Sequence, residues 1–320
     1  MKLYILYENQ DWLDPLQKIL RQENWEFEAC FVNEGHLDLS AIPKPGIYLN
    51  RLSASSATRD HQYSLNHGEQ IIHWLEAAGC RVINGSTAIA LEKSKFRQYL
   101  CLQRWQIPVP KSIAVTGERA ALAQAATAID FPFIYKYNCG GKGLGVQLIR
   151  DADQWRQFLQ LGTWRDSPDT VHILQQYIES REPFITRCEF IGGKFHYAIQ
   201  ADTSKGFELC PAQGCEIDRC ALGEEQVAIE QNPGQSIFRL RRSWHHPIIQ
   251  RYEAMLQAEK IDVAGIEFLE DREGKLWTYD INCNTNYSPK VEAEDDVIPG
   301  LQRLTSFLRE QIAMENGVQS

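Results

Sequence analysis

Glu267, Asp280 and Asn282 are three oxygen-bearing side chains whose spacing can gather them into one site. They lie in residues 265–287, which read GIEFLEDREGKLWTYDINCNTNY. Two β-type runs, 264–269 and 275–282, flank the turn-like Asp271-Arg272-Glu273-Gly274, the pattern of a hairpin. In the second run Trp277, Tyr279 and Ile281 alternate with Thr278, Asp280 and Asn282, so Asp280 and Asn282 share a face. A four-residue loop pairs Glu270 with Lys275 and sets Glu267 opposite Thr278, diagonal to Asp280 on the same face and about 7–8 Å from it. Two carboxylates and an amide oxygen form a hard-oxygen donor set of the kind Mg²⁺ prefers when it also holds phosphates. The polar side of a solvent-facing hairpin would carry the same residue types, and a one-residue slip would send Glu267 to the opposite face.

A second group surrounds Lys136. Residues 131–137 read as a buried strand, followed by Asn138-Cys139-Gly140-Gly141-Lys142-Gly143-Leu144-Gly145-Val146. Gly140, Gly141, Gly143 and Gly145 let backbone amides approach phosphate oxygens and permit positive φ. This is not a Walker loop, because Val146 stands where that loop needs lysine and a strand rather than a helix follows. The pattern is a glycine hairpin between two strands, able to close over phosphates as a lid. The glycines alone fit a mobile hairpin tip equally well, and Lys136 just upstream favours phosphate. The next apolar strand ends in Gln175, Gln176, Tyr177 and Ile178, whose backbone could meet an adenine edge. Beyond it, Gly192-Gly193 as a two-residue turn pairs Glu189 with His196 and Arg187 with Ala198. Arg187, Glu189, His196 and Gln200 then share a face opposite Cys188, Phe190, Phe195 and Tyr197. Such a face is usually solvated; lining a cleft, Arg187 could clamp a phosphoryl group or a developing oxyanion.

The elements that must position these groups alternate between β and α. In residues 1–93 strands are expected at 3–7, 25–32, 47–49 and 81–83, with helices over 11–22 and around Leu65, Ile71, Ile72, Leu75 and Ala78. This implies a mainly parallel sheet, whose ligands bind at the carboxyl ends of strands. Asn50-Arg51-Leu52-Ser53 lies at one such end, and a polar stretch with Arg59 follows. Arg51 and Arg59 could receive an anionic substrate or be solvated surface arginines. A helix over 94–105 is stopped by Pro108 and Pro110. The expected units are an N-terminal α/β domain over 1–93, a central lid subdomain over 94–185 and a C-terminal subdomain over 186–320 that carries the hairpin.

The formal charge of −9 argues against sequence-independent nucleic-acid binding, which needs clustered lysine and arginine. The first residues are too weakly apolar for a signal peptide and nothing approaches a membrane span, so a cytoplasmic protein is expected, with homo-oligomers left open. Nine cysteines are scattered along the chain. Cys210, Cys215 and Cys220 lack the two-residue knuckle spacing of common zinc sites, and free thiols are expected.

Together these motifs resemble an ATP-grasp enzyme, similar to the branch that contains the ribosomal-protein glutamate ligase and the glutathione synthetases. The likeness covers roughly residues 80–290. It rests on Asn84, the Lys95 helix and the Ile107-Pro108-Val109-Pro110 break; Pro132-Phe133-Ile134-Tyr135-Lys136 with its glycine loop; Leu174-Gln175-Gln176-Tyr177-Ile178; Gly265-Ile266-Glu267; and Asp280-Ile281-Asn282. No one of these is specific, but five in the right order are. The resemblance implies an α/β (α+β) ATP-grasp fold behind a Rossmann-like α/β domain. It implies that Lys95 and Lys136 hold ATP phosphates beneath Gly140, Gly141, Lys142, Gly143 and Gly145, and that Gln175, Gln176, Tyr177 and Ile178 meet adenine. Glu267, Asp280 and Asn282 would hold two Mg²⁺ ions, for which Mn²⁺ can substitute, and catalytic Arg187 would face an acyl phosphate. The implied reaction joins a carboxylate to an amine, on an amino acid or small peptide, and releases ADP and phosphate. An ATP-binding regulatory protein without turnover, or a carboxylate kinase feeding a partner enzyme, would use the same residues.

There are departures from the family pattern. Asp280 is shorter than the glutamate more often found there, residues 202–211 do not match the basic residue and Gly-Gly pair that follow the Arg187 hairpin in the glutamate-ligase branch, and Cys283-Asn284 replaces a common Pro-Gly. The substrate side is expected among Arg51, Arg59, Lys205 and Asn284, with the substrate pair left open.

Overall fold

The computed structural model describes residues 1–204, 237–242, 244–293 and 297–318. The first sheet contains β1 (Leu3–Tyr7), β2 (Phe27–Phe31), β3 (Ile47–Arg51) and β4 (Arg81–Ile83), all parallel in the order β2-β1-β3-β4. Its central strands read as unbroken apolar runs because both faces are covered. Leu3 and Ile5 pack with Leu13, Leu16 and Leu20 of helix Gln10–Gln22. Tyr4 and Leu6 pack on the other side with Leu65, Ile72 and Leu75 of helix Ser64–Ala77.

Helix Lys95–Arg104, capped by the Ser94 side chain, leads into the second sheet. That sheet contains β5 (Ser112–Thr116), β6 (Phe133–Tyr137), β7 (Gln147–Ile149) and β8 (Val171–Gln176), antiparallel in the order β5-β8-β6-β7. Phe133 and Tyr135 anchor it on Trp155 and Phe158 of helix Ala152–Leu161. The glycine loop joins β6 to β7, as the hairpin pattern predicts.

The third sheet contains β9 (Phe184–Ile191), β10 (Lys194–Asp202), β11 (Phe238–Leu240), β12 (Val263–Glu270) and β13 (Leu276–Asn282), antiparallel in the order β11-β10-β9-β12-β13. One face packs Cys188, Phe190, Ile266 and Phe268 against Tyr252, Met255 and Leu256 of helix Ile248–Ala258. The other packs Ile185, Ile191, Tyr197 and Ile199 in one cluster with Leu304, Phe307 and Leu308 of helix Gly300–Val318 and with Leu3 and Ile5 of β1. The first and third sheets therefore share a core.

Both hairpins of this sheet differ from the expected register by a bulge. Glu267 pairs directly with Asp280 rather than with Thr278, because Glu270 pairs with Leu276 instead of Lys275 and the register shifts once more between Glu267 and Phe268, which leaves Tyr279 as the extra residue. In the other hairpin the register shifts between Phe195 and Tyr197, so Glu189 meets Tyr197 and Arg187 meets Ile199. The expected grouping of Arg187 with His196 and Gln200 is thereby corrected to Arg187 with Tyr197 and Ile199. That face is buried, not solvated. Lys205 and the Cys210, Cys215 and Cys220 group lie outside the described residues, within which Cys30, Cys80, Cys101, Cys139, Cys188 and Cys283 are free thiols. Among the described residues no helix is long and apolar enough to cross a membrane.

Candidate active site

Three adjacent strands set a row of charges. Arg187 on β9 is registered with Glu267 on β12, and Glu267 with Asp280 on β13. Arg187 Nη1 donates to Glu267 Oε1 at 2.9 Å, and Lys95 Nζ, at the start of its helix, donates to Asp280 Oδ1 at 2.6 Å. Asn282 completes the group, its amide 3.3 Å from Glu267 Oε1 and 3.5 Å from Asp280 Oδ2. Burial pushes the Glu267 carboxyl above the usual range, and the facing Asp280 carboxylate adds to this against the pull of Arg187. Burial works against the Asp280 charge as well, yet the Lys95 and Lys136 ammonium groups hold its pKa below the ordinary value. Two neighbouring carboxylates are thus driven apart, the signature of a site that manages charge.

Lys136 is buried beside them. Its Nζ donates to Gln175 Oε1 at 2.9 Å and lies 5.3 Å and 5.8 Å from the ring centres of Tyr99 and Tyr279. Burial first, and the Lys95 charge second, lower its pKa to about 7. An ammonium this poorly compensated is ready to gain from an arriving polyanion.

Arg187 is held on every side. Its Nε donates to Glu189 Oε1 at 2.6 Å and its Nη2 to Thr285 Oγ1 at 2.7 Å, while Thr285 Oγ1 donates to Glu189 Oε2 at 2.7 Å. Burial alone would lower its pKa; Glu189 and Glu267 together drive it up. Gly265 on β12 makes room for it, since a Cβ there would stand 2.4 Å from Arg187 Nη2.

These groups line a cleft of about 310 Å³ under the glycine loop. Ile134, Tyr177, Ile178, Leu269 and Tyr279 give it an apolar side, edged by the polar Gln175 and Gln176, a combination suited to a planar ring with hydrogen-bonding edges. Gly140, Gly141, Lys142 and Gly143 line it from above. Gly145 turns the loop with φ +69°, and a Cβ there would stand 2.4 Å from the Tyr137 ring. The loop reaches the first domain, where Lys142 Nζ lies 5.3 Å from the Trp12 ring centre. Trp12, Ser53, Ser55, Asn284 and Asn286 form the remaining wall.

The sequence-expected residues separate here. Lys95, Lys136, the loop glycines, Gln175, Gln176, Tyr177, Ile178, Arg187, Glu267, Asp280, Asn282 and Asn284 line one cleft, although Gly145 shapes the loop from behind. Arg51 and Arg59 do not line it. Arg51 donates to Thr285 O and to Asn286 Oδ1, both at 2.8 Å, and Arg59 is paired with the buried Glu8. Both guanidinium groups are engaged by the protein, and Arg59 also donates to Oγ of the cleft residue Ser55 at 3.1 Å. Sequence reasoning missed Trp12, Ser55, Glu92 and Tyr279. Glu92 ends a short helix beside Lys93 and reads as a solvated acid; only its burial reveals it.

The donor set suits a hard cation. Among the described residues there is no group of three or more His, Cys, Asp or Glu placed to hold a metal ion. Glu267, Asp280 and an amide oxygen would leave the remaining coordination to phosphate and water, which is how Mg²⁺ is commonly held at nucleotide sites.

Residues 92–233 match the family model described as a RimK-like ATP-grasp domain. The tetrahydromethanopterin:alpha-L-glutamate ligase of Methanosarcina acetivorans is 29% identical over 180 residues, 52% of this chain and 53% of that one. The glutamate–LysW ligase ArgX of Sulfolobus acidocaldarius is 37% identical over 121 residues, 38% and 42% of the two chains. The chain spans about half the length of the curated relatives it matches. Among solved structures, D-alanine–D-alanine ligase from Bacillus anthracis superposes with a TM-score of 0.64 at 15% identity over 100% of both chains. The RimK domain ATP-grasp protein from Sphaerobacter thermophilus gives 0.63 at 16% identity over 96% of this chain and 99% of that one. The chain therefore has the ATP-grasp fold, and its residues 92–233 match a RimK-like ATP-grasp domain.

Proposed function

We propose that the protein is an ATP-dependent carboxylate–amine ligase that forms an amide bond through an acyl phosphate and releases ADP and phosphate. The observation that carries this reading is the row Arg187, Glu267, Asp280 and Lys95, in which two facing carboxylates are flanked by protein cations, each at hydrogen-bond distance from its carboxylate, beneath a glycine loop. When bound, ATP with two Mg²⁺ ions supplies the phosphoryl group that activates the carboxylate. Glu267, Asp280 and Asn282 hold the metal. Lys95 and Lys136 neutralise the phosphates, so that an anionic carboxylate can approach them. The wall from Gln175 to Ile178 receives adenine. Arg187 faces the reacting carbonyl and stabilises the oxyanion as the amine attacks. The loop from Gly140 to Gly145 excludes water from an intermediate that hydrolyses readily.

Glutamate is the first amine to test, because two of the relatives described above are named as glutamate ligases. Asn284 and the Trp12, Ser53 and Ser55 wall then face the substrates. ADP release from Mg²⁺–ATP, measured with glutamate and a panel of small carboxylates and peptides and paired with mass detection of the amide, tests the reading. ATP binding without ADP release under any pair would overturn it.

A further inference from the structure

β13 is the outermost strand of its sheet, with β12 along one side only. Among the described residues its other edge is paired with no strand and is met instead by side chains. Ile281 N donates to Gln98 Oε1 at 3.0 Å, and Gln98 Nε2 donates back to Ile281 O at 2.8 Å. Cys283 N donates to Glu92 Oε2 at 2.7 Å, and Asn84 Nδ2 donates to Cys283 O at 2.5 Å. These are the backbone groups that alternate with those of Asp280 and Asn282, which face β12. Lower on the same edge, Thr278 N donates to Pro108 O at 2.9 Å.

The side chains that supply this edge are themselves fixed. The second Glu92 oxygen accepts Ala54 N at 2.9 Å, Gln98 Nε2 also donates to Leu91 O at 2.9 Å, and Asn84 Oδ1 accepts the amides of Asp262 and Val263, both at 2.9 Å. All three residues are buried. The amide of Gln98 presents one acceptor and one donor, as the backbone of a neighbouring strand would. The bulge beside Glu267 gives a reason for such a device: it interrupts the ladder with β12 between the Glu267–Asp280 and Phe268–Thr278 pairs, next to the residues to be placed.

We infer that Glu92 and Gln98, together with Asn84, are positioning residues that stand in for a missing neighbour strand and set the register and height of Asp280 and Asn282. This rests on the reading of those two residues as ligands of nucleotide-bound metal. Displacing such supports weakens metal affinity without touching a ligand.

The test is the Mg²⁺ dependence of ADP binding, read by calorimetry on the full chain with no turnover involved. Gln98→Met removes both bonds to Ile281 at similar size, and Glu92→Gln keeps one acceptor of two. The half-saturating Mg²⁺ concentration is expected to rise about ten-fold in Gln98→Met and by less in Glu92→Gln. ADP affinity without Mg²⁺ is expected to stay unchanged in Gln98→Met, whose side chain does not line the cleft. Glu292→Gln alters another buried carboxylate, which accepts Gly300 N and the Tyr197 hydroxyl away from the cleft, and should leave the Mg²⁺ midpoint in place. Wild-type Mg²⁺ midpoints in Gln98→Met and Glu92→Gln, with lowered melting temperatures, would reduce the residues to general stability and overturn the inference. If Gln98→Met does not fold, the Glu92→Gln midpoint decides alone. A wild-type chain that binds no Mg²⁺–ADP would overturn both this inference and the ligase reading, whereas normal wild-type binding with unmoved variants overturns only this one.

Discussion

Two hairpins bound the cleft, and they are built differently. The floor, β12–β13, pairs from Gly265–Asn282 to Glu270–Leu276, is backed by β9 and has its outer edge pinned by side chains. The roof, β6–β7, pairs only from Phe133–Ile149 to Tyr135–Gln147, and the loop between the strands is two-thirds glycine over Gly140 to Gly145. The floor buries its charges and compensates each with a fixed partner; the roof brings Lys142 and backbone amides on a short support. Electrostatic work needs fixed groups, since a charge that must reorganise loses its advantage. Admission of substrate and exclusion of water need a part that moves. The contrast assigns chemistry to the floor and gating to the roof, and substitutions in the two should separate turnover from binding.

The largest effect is expected at the centre of the floor. Asp280→Asn keeps the shape but removes the charge opposite Lys95, and ADP release should fall about 100- to 1000-fold with the melting temperature little changed. Wild-type turnover there would remove Asp280 from the metal site. Next comes Gly265→Ala, whose Cβ would displace the Arg187 guanidinium. A displacement of this size should cost about 100-fold in turnover while ATP affinity is retained, measured by calorimetry beside steady-state kinetics.

A smaller effect concerns Lys136, whose pKa is lowered by burial and by Lys95 to about 7. The free protein loses this cation as pH rises through 7, so affinity for ATP should fall with rising pH, by at most about ten-fold per unit. Lys136→Met should weaken binding near pH 7 and flatten the dependence; an unchanged slope would remove the lysine from the phosphate site. The same lowered value has a stability consequence of opposite sign. The unfolded chain keeps this proton to about pH 10.4, so the group makes the fold more stable as pH rises from 7 toward that value.

The smallest effect belongs to the roof. Gly145→Ala places a Cβ at positive φ against Tyr137, and nucleotide affinity should drop roughly five-fold, equivalent to about 1 kcal/mol of strain, with kcat at saturation preserved. A kcat loss as large as that of Gly265→Ala would break the division between floor and roof.

Much of the site was legible in the sequence because its chemistry depends on local patterns. Alternation placed Asp280 and Asn282 on one face, and the strand–glycine–strand pattern placed Lys136 before a hairpin. The pairings were less legible. A bulge adds one residue without disturbing hydrophobic alternation nearby, so Glu267–Asp280 and Arg187–Ile199 follow from sheet geometry that no local spacing encodes. Partner choice over long separations was also hidden. Arg51 finds Thr285 and Asn286, Arg59 finds Glu8, and Glu92 joins Ala54 to Cys283. Arg51 and Arg59 read as substrate or surface arginines and Glu92 as a solvated acid until the fold brings their partners.

The most direct test of the central claim follows heavy oxygen from a labelled carboxylate, supplied with glutamate and Mg²⁺–ATP. The predicted result is ADP, amide and phosphate in equal amounts, with a labelled oxygen carried into the phosphate. Release of AMP and pyrophosphate, or amide formed with unlabelled phosphate, would contradict it.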